Sequence, residues 1–217
     1  MIWKYFLLLA ISFGITIGAH AQQPDYAVKL SHYLLESFMP GKVKEKSGVV
    51  TDQLLNYNIL TKEMIYHNNG QFLAISNPKD VDTVYIHNRR FIPVEDQFYE
   101  MLTQTAIPLF REVTCTVTQP GAPVGYGMTS TTTASNSLRA LIQSGGAYGL
   151  KLPDEFVVKP KFNYLVLING KYEKASTVQQ LIKAFPNKKK EIRAFFDQKG
   201  NSATSNESQV ALNHLIQ

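Results

Sequence analysis

Short apolar-rich runs separated by turn residues punctuate the stretch from Tyr33 to Thr118, the pattern of strands joined by tight turns. Leu54-Leu55-Asn56-Tyr57-Asn58-Ile59 and Met64-Ile65-Tyr66-His67 predict two strands. Asn68-Asn69-Gly70 then offers residues that accept positive φ, and Gln71-Phe72-Leu73-Ala74-Ile75 returns. Asn69-Gly70 therefore predicts a type I′ hairpin. Asn77-Pro78-Lys79-Asp80 interrupts the pattern, Thr83-Val84-Tyr85-Ile86-His87 resumes it, and Asn88-Arg89 predicts a turn into Arg90-Phe91-Ile92-Pro93-Val94. Signals this closely spaced leave no room for the helices that parallel βαβ units require, so the expectation is an antiparallel meander.

Further along, Phe98-Tyr99-Glu100-Met101-Leu102 fits a strand or a short helix. Ile107 to Thr118 predicts a long strand whose start Pro108 forces to an edge or a bulge. Residues 119–150 differ in composition: Pro120-Gly121-Ala122-Pro123, Gly125-Tyr126-Gly127, Met128 to Thr133 and Ser144 to Gly149 predict long connections rather than core elements. Glu155 to Lys159 and Asn163 to Ile168 predict two more strands, and Asn169-Gly170 a second type I′ turn into Lys171-Tyr172-Glu173-Lys174-Ala175. An outer-membrane barrel calls for strands of about ten residues with unbroken outward apolar alternation. Charges interrupt the strands here, and that architecture is not expected.

After Ala175 the period changes to about 3.6. Ser176 or Thr177 can cap a helix in which Val178, Leu181, Ile182 and Phe185 share a face, ended by Pro186. Lys188-Lys189-Lys190-Glu191 opens a second helix with Ile192, Phe195 and Phe196 on its apolar side, closed by Gly200. Ser205 or Asn206 caps a third, which gathers Ala211, Leu212, Leu215 and Ile216. The expected fold is α+β: an antiparallel meander body followed by three short C-terminal helices.

The first residues carry a different signal. Lys4 precedes an apolar run from Phe6 to Gly18, and Ala19-His20-Ala21 offers a small-x-small cleavage site before Gln22. Residues 1–21 are expected to be a secretory signal peptide, residues 22–175 a β-rich domain and residues 176–217 a helical segment packed on or beside the sheet. The mature chain then has no transmembrane span and no tryptophan, and stays in the periplasm, on the outer membrane or outside the cell. An apolar share of 44% excludes intrinsic disorder, and a single cysteine excludes an internal disulfide framework.

Charge is segregated. Residues 22–170 hold 13 basic and 13 acidic side chains, whereas residues 171–217 hold 8 basic and 4 acidic. The net charge of the mature chain therefore resides in the tail, where Lys188, Lys189, Lys190 and Arg193 form a candidate contact patch. Its partner would be another envelope protein or an anionic envelope surface, against the simpler reading of a solvated basic face. Nucleic acid is not expected, since no aromatic and basic residues interleave into a stacking platform. A second candidate is the loop bearing Gly125, Tyr126, Gly127, Thr129 and Ser130, whose N–H and hydroxyl groups suit a small ligand. It lacks the Gly-Lys-Ser/Thr ending of a phosphate loop.

Catalytic chemistry finds little footing. Cys115 lies in the strand-like Glu112 to Thr118 without a local nucleophile signature and reads as a buried structural thiol. His32, His67, His87 and His214 show no metal-ligand spacing, although His67 and His87 both stand near hairpin ends. Glu95, Asp96 and Glu100 cluster, and Asp80 and Asp82 form a pair, but turns explain these carboxylates as well as a cleft does. No catalytic residue, metal ligand or cofactor is assigned. The expected role is that of a non-catalytic envelope protein, structural or interaction-mediating. The alternative is a ligand-binding protein or enzyme with its site under residues 120–149.

Three stretches carry a resemblance: Gly125-Tyr126-Gly127-Met128-Thr129-Ser130 through Ala134; Tyr148 to Leu152 followed by the Phe162–Tyr164 strand and the Asn169-Gly170-Lys171-Tyr172 hairpin; and Leu181-Ile182-Lys183-Ala184-Phe185-Pro186-Asn187-Lys188-Lys189-Lys190-Glu191-Ile192. Together they resemble an uncharacterised group of exported proteins of Bacteroidota. The resemblance implies an envelope location in a Gram-negative cell and brings no activity, cofactor or site residue with it.

Overall fold

The computed structural model describes residues 32–118, 122–123, 129–130, 142, 148, 152, 156–197 and 212–213. Ten strands form one antiparallel sheet: β1 (Met39–Glu45), β2 (Val50–Asn58), β3 (Glu63–Asn68), β4 (Gln71–Ala74), β5 (Val81–Ile86), β6 (Arg89–Val94), β7 (Gln97–Thr103), β8 (Leu109–Thr118), and, after the short pair β9 (Ala122–Pro123) and β10 (Thr129–Ser130), β11 (Val157–Ile168) and β12 (Lys171–Lys174). The order across the sheet is β12-β11-β8-β7-β6-β5-β1-β2-β3-β4.

This is not a single meander. β1, which the sequence pattern does not announce, lies between β2 and β5 and joins two meanders through its two edges. Met39-Pro40-Gly41 looks like a turn because proline and glycine punctuate loops. Pro40 is tolerated because it pairs only with Leu54 of β2; the pairing with β5 begins one residue later, at Gly41–Ile86. Gly41 is a packing glycine. A Cβ placed there would stand 2.3 Å from the Tyr85 carbonyl oxygen and 2.9 Å from Leu55 Cδ1.

Local chemistry sets the turns. Asn69-Gly70 has φ of 49° and 79°, and Asn169-Gly170 has 51° and 75°, as type I′ hairpins demand. The β5–β6 turn sits one residue earlier than its Asn88-Arg89 dipeptide suggests, with His87 left-handed at φ 53°. Phe98–Leu102 resolves as part of β7. The two strands expected over Glu155–Lys159 and Asn163–Ile168 are one twelve-residue strand, β11, that runs straight through Pro160.

The main core lies on one sheet face; Tyr99, Phe110 and Leu165 form a further buried cluster on the other, where Ile65 also packs with Tyr33 and Phe38. In the main core, Leu55, Tyr57, Met64, Val84, Ile86, Phe91, Phe98 and Val113, drawn from β2 and β3 on one half of the sheet and β5 to β8 on the other, pack together, so the sheet curls over them. The β2–β3 turn closes the curl against β8, with Cys115 Sγ 3.4 Å from the Ile59 carbonyl oxygen. On the same face, at the β11 end, Tyr164, Val166 and Leu109 meet Leu181, Phe185, Ile192 and Phe196 of two helices, α1 (Val178–Ala184) and α2 (Lys189–Asp197). The described residues thus contain two α-helices where three were expected. Of the stretch anticipated for the third, only Leu212 and Asn213 are described. Both are helical, and Leu212 is buried in this cluster.

Thr177 caps α1, its hydroxyl oxygen accepting the Gln180 N–H at 3.2 Å. The Gln180 side-chain oxygen accepts the Ser176 N–H at 2.9 Å in return, close to a capping box. Thr177→Ala is expected to lower stability by about 1 kcal/mol, the usual effect of losing such a cap. A urea midpoint matching the wild type would argue against the cap.

Candidate functional site

One surface with main-chain groups turned away from any described strand is the outer edge of β11. β12 covers only Leu165 to Ile168, so Val157 to Tyr164 has β8 on one side and no described strand on the other. Alternation decides which main-chain groups face outward. The Tyr164 carbonyl accepts the Ala175 N–H at 2.8 Å and the Tyr164 N–H donates to Ser176 Oγ at 2.7 Å, both on the side away from β8. Leu167 N–H instead reaches the Pro108 carbonyl, on the β8 side. Even-numbered residues therefore face out, and Phe162, Pro160 and Val158 present their backbone groups at the open edge. Pro160 has no N–H to present. The proline is accommodated in mid-strand because its missing donor falls on the unpaired side.

Lys159, Lys161 and Asn163 project from the opposite sheet face to Phe162 and Tyr164, and Lys174, paired with Leu165, shares their face. The three lysines are exposed, and their ammonium groups make no ion pair with another described residue. Behind them stands Glu112 of β8. Its carboxylate accepts from Asn163 Nδ2 at 2.8 Å and lies 3.5 Å from Lys62 Nζ, which reaches it from the β2–β3 turn. Both Glu112 oxygens are thus engaged inside the protein. A hollow of about 650 Å³ lies here, lined by Tyr99, Glu112, Lys161, Asn163 and Lys174 and bounded by Ser176, Thr177 and Gln180 at the start of α1.

A second cationic surface is α2. Ile192 and Phe196 are buried against the sheet, while Lys189, Lys190 and Arg193 are exposed and their side chains form no hydrogen bond or ion pair with another described residue. Lys188 ends the preceding 3₁₀ turn and is half-buried. The four residues of the expected patch are therefore adjacent in space, and three of them have uncommitted charges.

The most polar arrangement in the interior was not foreseen from the sequence. Glu100 of β7 is 4% exposed and is clamped by two guanidiniums. Arg89 Nε and Nη2 donate to its two oxygens at 2.7 Å each, and Arg111 Nε and Nη2 donate to Oε2 at 2.9 and 2.5 Å. Arg89 also lies over the Phe91 ring and Arg111 over the Phe162 ring, 5.4 and 5.1 Å from the centroids. Burial pushes the Glu100 carboxyl up, but the two arginines outweigh it and hold it below the usual glutamate range. The sequence holds its components, opposite charges in phase with apolar residues in Arg89-x-Phe91, Phe98-x-Glu100 and Arg111-x-Val113, and the strand register brings them together. With every Glu100 oxygen engaged by protein, this triad is a structural brace between the two core clusters.

The other expected residues separate. Glu95 and Asp96 form the β6–β7 turn, away from the Glu100 brace, and Asp82 pairs with Lys44 at 3.0 Å. His67 of β3 packs on Phe72 of β4, whereas His87 follows the end of β5, with β1 and β2 between those strands. The described residues contain no group of three His, Cys, Asp or Glu able to hold a metal. Cys115 is half-buried rather than fully buried, and burial raises its thiol. Thr129 and Ser130 form β10, paired with Pro123 and Ala122. Gly125, Tyr126 and Gly127 lie outside the described residues. Tyr148 is described, and its hydroxyl, pushed up to about 12 by burial and by the bond it donates to Glu63 at 2.7 Å, ties this residue to β3.

No family model, curated protein or solved structure matches the chain. No described helix is long and apolar enough to cross a membrane.

Proposed function

We propose that the protein is an exported, non-catalytic envelope protein that works as an interaction module, with α2 as its contact. The observation that carries this reading is the α2 surface: three adjacent, exposed cations, Lys189, Lys190 and Arg193, with no acidic partner among the described residues, on a helix held rigid by Ile192 and Phe196. Lys189 and Lys190 sit in the first turn of α2, where the helix dipole disfavours positive charge. Their presence there is a local disadvantage of a few tenths of a kcal/mol each, which an anionic partner offsets. Resemblance to exported Bacteroidota proteins and the signal-peptide pattern at residues 1–21 support the envelope location.

The test is cross-linked co-purification of the tagged mature chain from its native envelope, with and without Lys189→Glu, Lys190→Glu and Arg193→Glu together. Reversal removes unfavourable charge from the helix start, so the variant should unfold at or slightly above the wild-type midpoint while its association is lost. Association that survives intact in a folded variant removes α2 as the contact.

A further inference from the structure

We propose that the open edge of β11 is a docking site for an extended acidic peptide segment of a partner protein, which adds as a strand beside Val158–Phe162. This surface is separate from α2 and independent of the function proposed for it.

Three observations converge. The first is the edge itself: Phe162 and Val158 each turn an N–H and a C=O outward, and Pro160 adds a C=O between them. A strand laid there would pair by main-chain hydrogen bonds, the mode by which peptides extend exposed sheets. The missing Pro160 donor limits pairing to a strand centred on Phe162 and disfavours indiscriminate edge-to-edge association.

The second is the charge beside the edge. Successive same-face residues of a strand lie about 6.8 Å apart, and Lys159 and Lys161 hold this spacing, with Lys174 continuing on the same face at β12. A strand paired to β11 places its own alternate side chains directly alongside. Acidic residues at every second position of the partner would thus lie beside Lys159 and Lys161, with Lys174 at the end of the added strand. The Glu112 carboxylate nearby is already engaged by Asn163 and Lys62 and leaves the lysines free.

The third is the space. The hollow of about 650 Å³ lies on this edge and ends at Ser176, Thr177 and Gln180, so an incoming strand has room and a defined stop. The complementary segment is not in the rest of this chain. Outside the described residues its acidic side chains are Asp25, the adjacent pair Asp154-Glu155, and Glu207, with no alternation among them. The row of lysines instead fits an acidic segment of another protein.

The experiment uses the mature chain and fluorescein-labelled eight-residue peptides followed by anisotropy at low salt. A peptide alternating Thr and Glu should bind at least about tenfold tighter than one alternating Thr and Gln, a difference of about 1.4 kcal/mol. It should also raise the hydrogen-exchange protection of the Phe162 and Val158 amides. Lys161→Glu with Lys174→Glu should abolish the preference for Glu. The α2 reversal should leave it unchanged, which separates failure of this site from failure of the α2 contact. Methylating alternate peptide nitrogens, on the side that would face β11, should abolish binding if a strand is added. Equal binding of the Glu and Gln peptides, equal binding of the methylated peptide, or loss of binding on α2 reversal alone would each overturn the proposal.

Discussion

Glu100→Gln is expected to destabilise the fold by about 3 kcal/mol, the low end for breaking a buried ion pair from one side. The substitution keeps the shape of the side chain but leaves two guanidiniums facing each other across a site 4% exposed to solvent. The low end applies because Arg89 and Arg111 retain 20% and 21% side-chain exposure and can recover some hydration. Urea unfolding reads the loss directly. The same group also gives a pH signature. Its folded pKa lies below the ordinary value of 4.5, so its stabilisation is complete above that pH and is lost as pH falls through the folded value. Below about pH 4.5 the wild type should therefore lose stability more steeply than Glu100→Gln. Identical acid slopes in the two proteins would mean that Glu100 is not ionised between the arginines. Replacing all three residues by Met, Leu and Met should recover much of the loss, because an apolar triad leaves no charge unpaired.

Gly41→Ala should be nearly as damaging, at about 3 kcal/mol or more, since overpacking of this severity meets main chain rather than a flexible side chain. The added methyl would lie 2.3 Å from a carbonyl oxygen of β5, and β1 can retreat only by breaking its register with β2 or β5. Gly48→Ala is the useful comparison. Gly48 has φ 92° and open space where a Cβ would go, so its substitution strains only the backbone, at about 1 kcal/mol. Thermal melts of the two variants should differ clearly. Equal melts would contradict the close approach of β1 and β5.

The contrast between the two glycines also marks where the fold was legible in the sequence. Features fixed by a dipeptide or a cap could be read: Asn69-Gly70, Asn169-Gly170, Pro108 before β8, and Thr177 at the start of α1. Features fixed by a partner far along the chain could not. β1 is not announced locally because its strand character comes from β2 and β5 pairing on either side of it. β11 reads as two strands because nothing local says that Pro160 will face an unpaired edge. The Glu100 brace was hidden for the same reason: Arg89 and Arg111 lie eleven residues to either side of Glu100, and only the sheet order places them around it. On the functional side, the basic run at Lys188–Lys190 is a local signal and was visible. The lysine row along β11 and β12 depends on strand register and was not.

The position of β1 bears on how the chain reaches this fold. Turns of a few residues join β2 to β3, β3 to β4, β5 to β6 and β6 to β7, so those hairpins can close on the microsecond scale of local contacts. The β1–β5 pairing joins residues as far apart as Gly41 and Ile86, and the β8–β11 pairing must bridge from Thr118 to Val157 before its first contact forms. Both loops must be closed at an entropic cost before any pairing rewards it. The folding rate should therefore be limited by these two closures rather than by hairpin formation. Until β5 arrives, the growing chain carries β1 as a strand with one side unsatisfied.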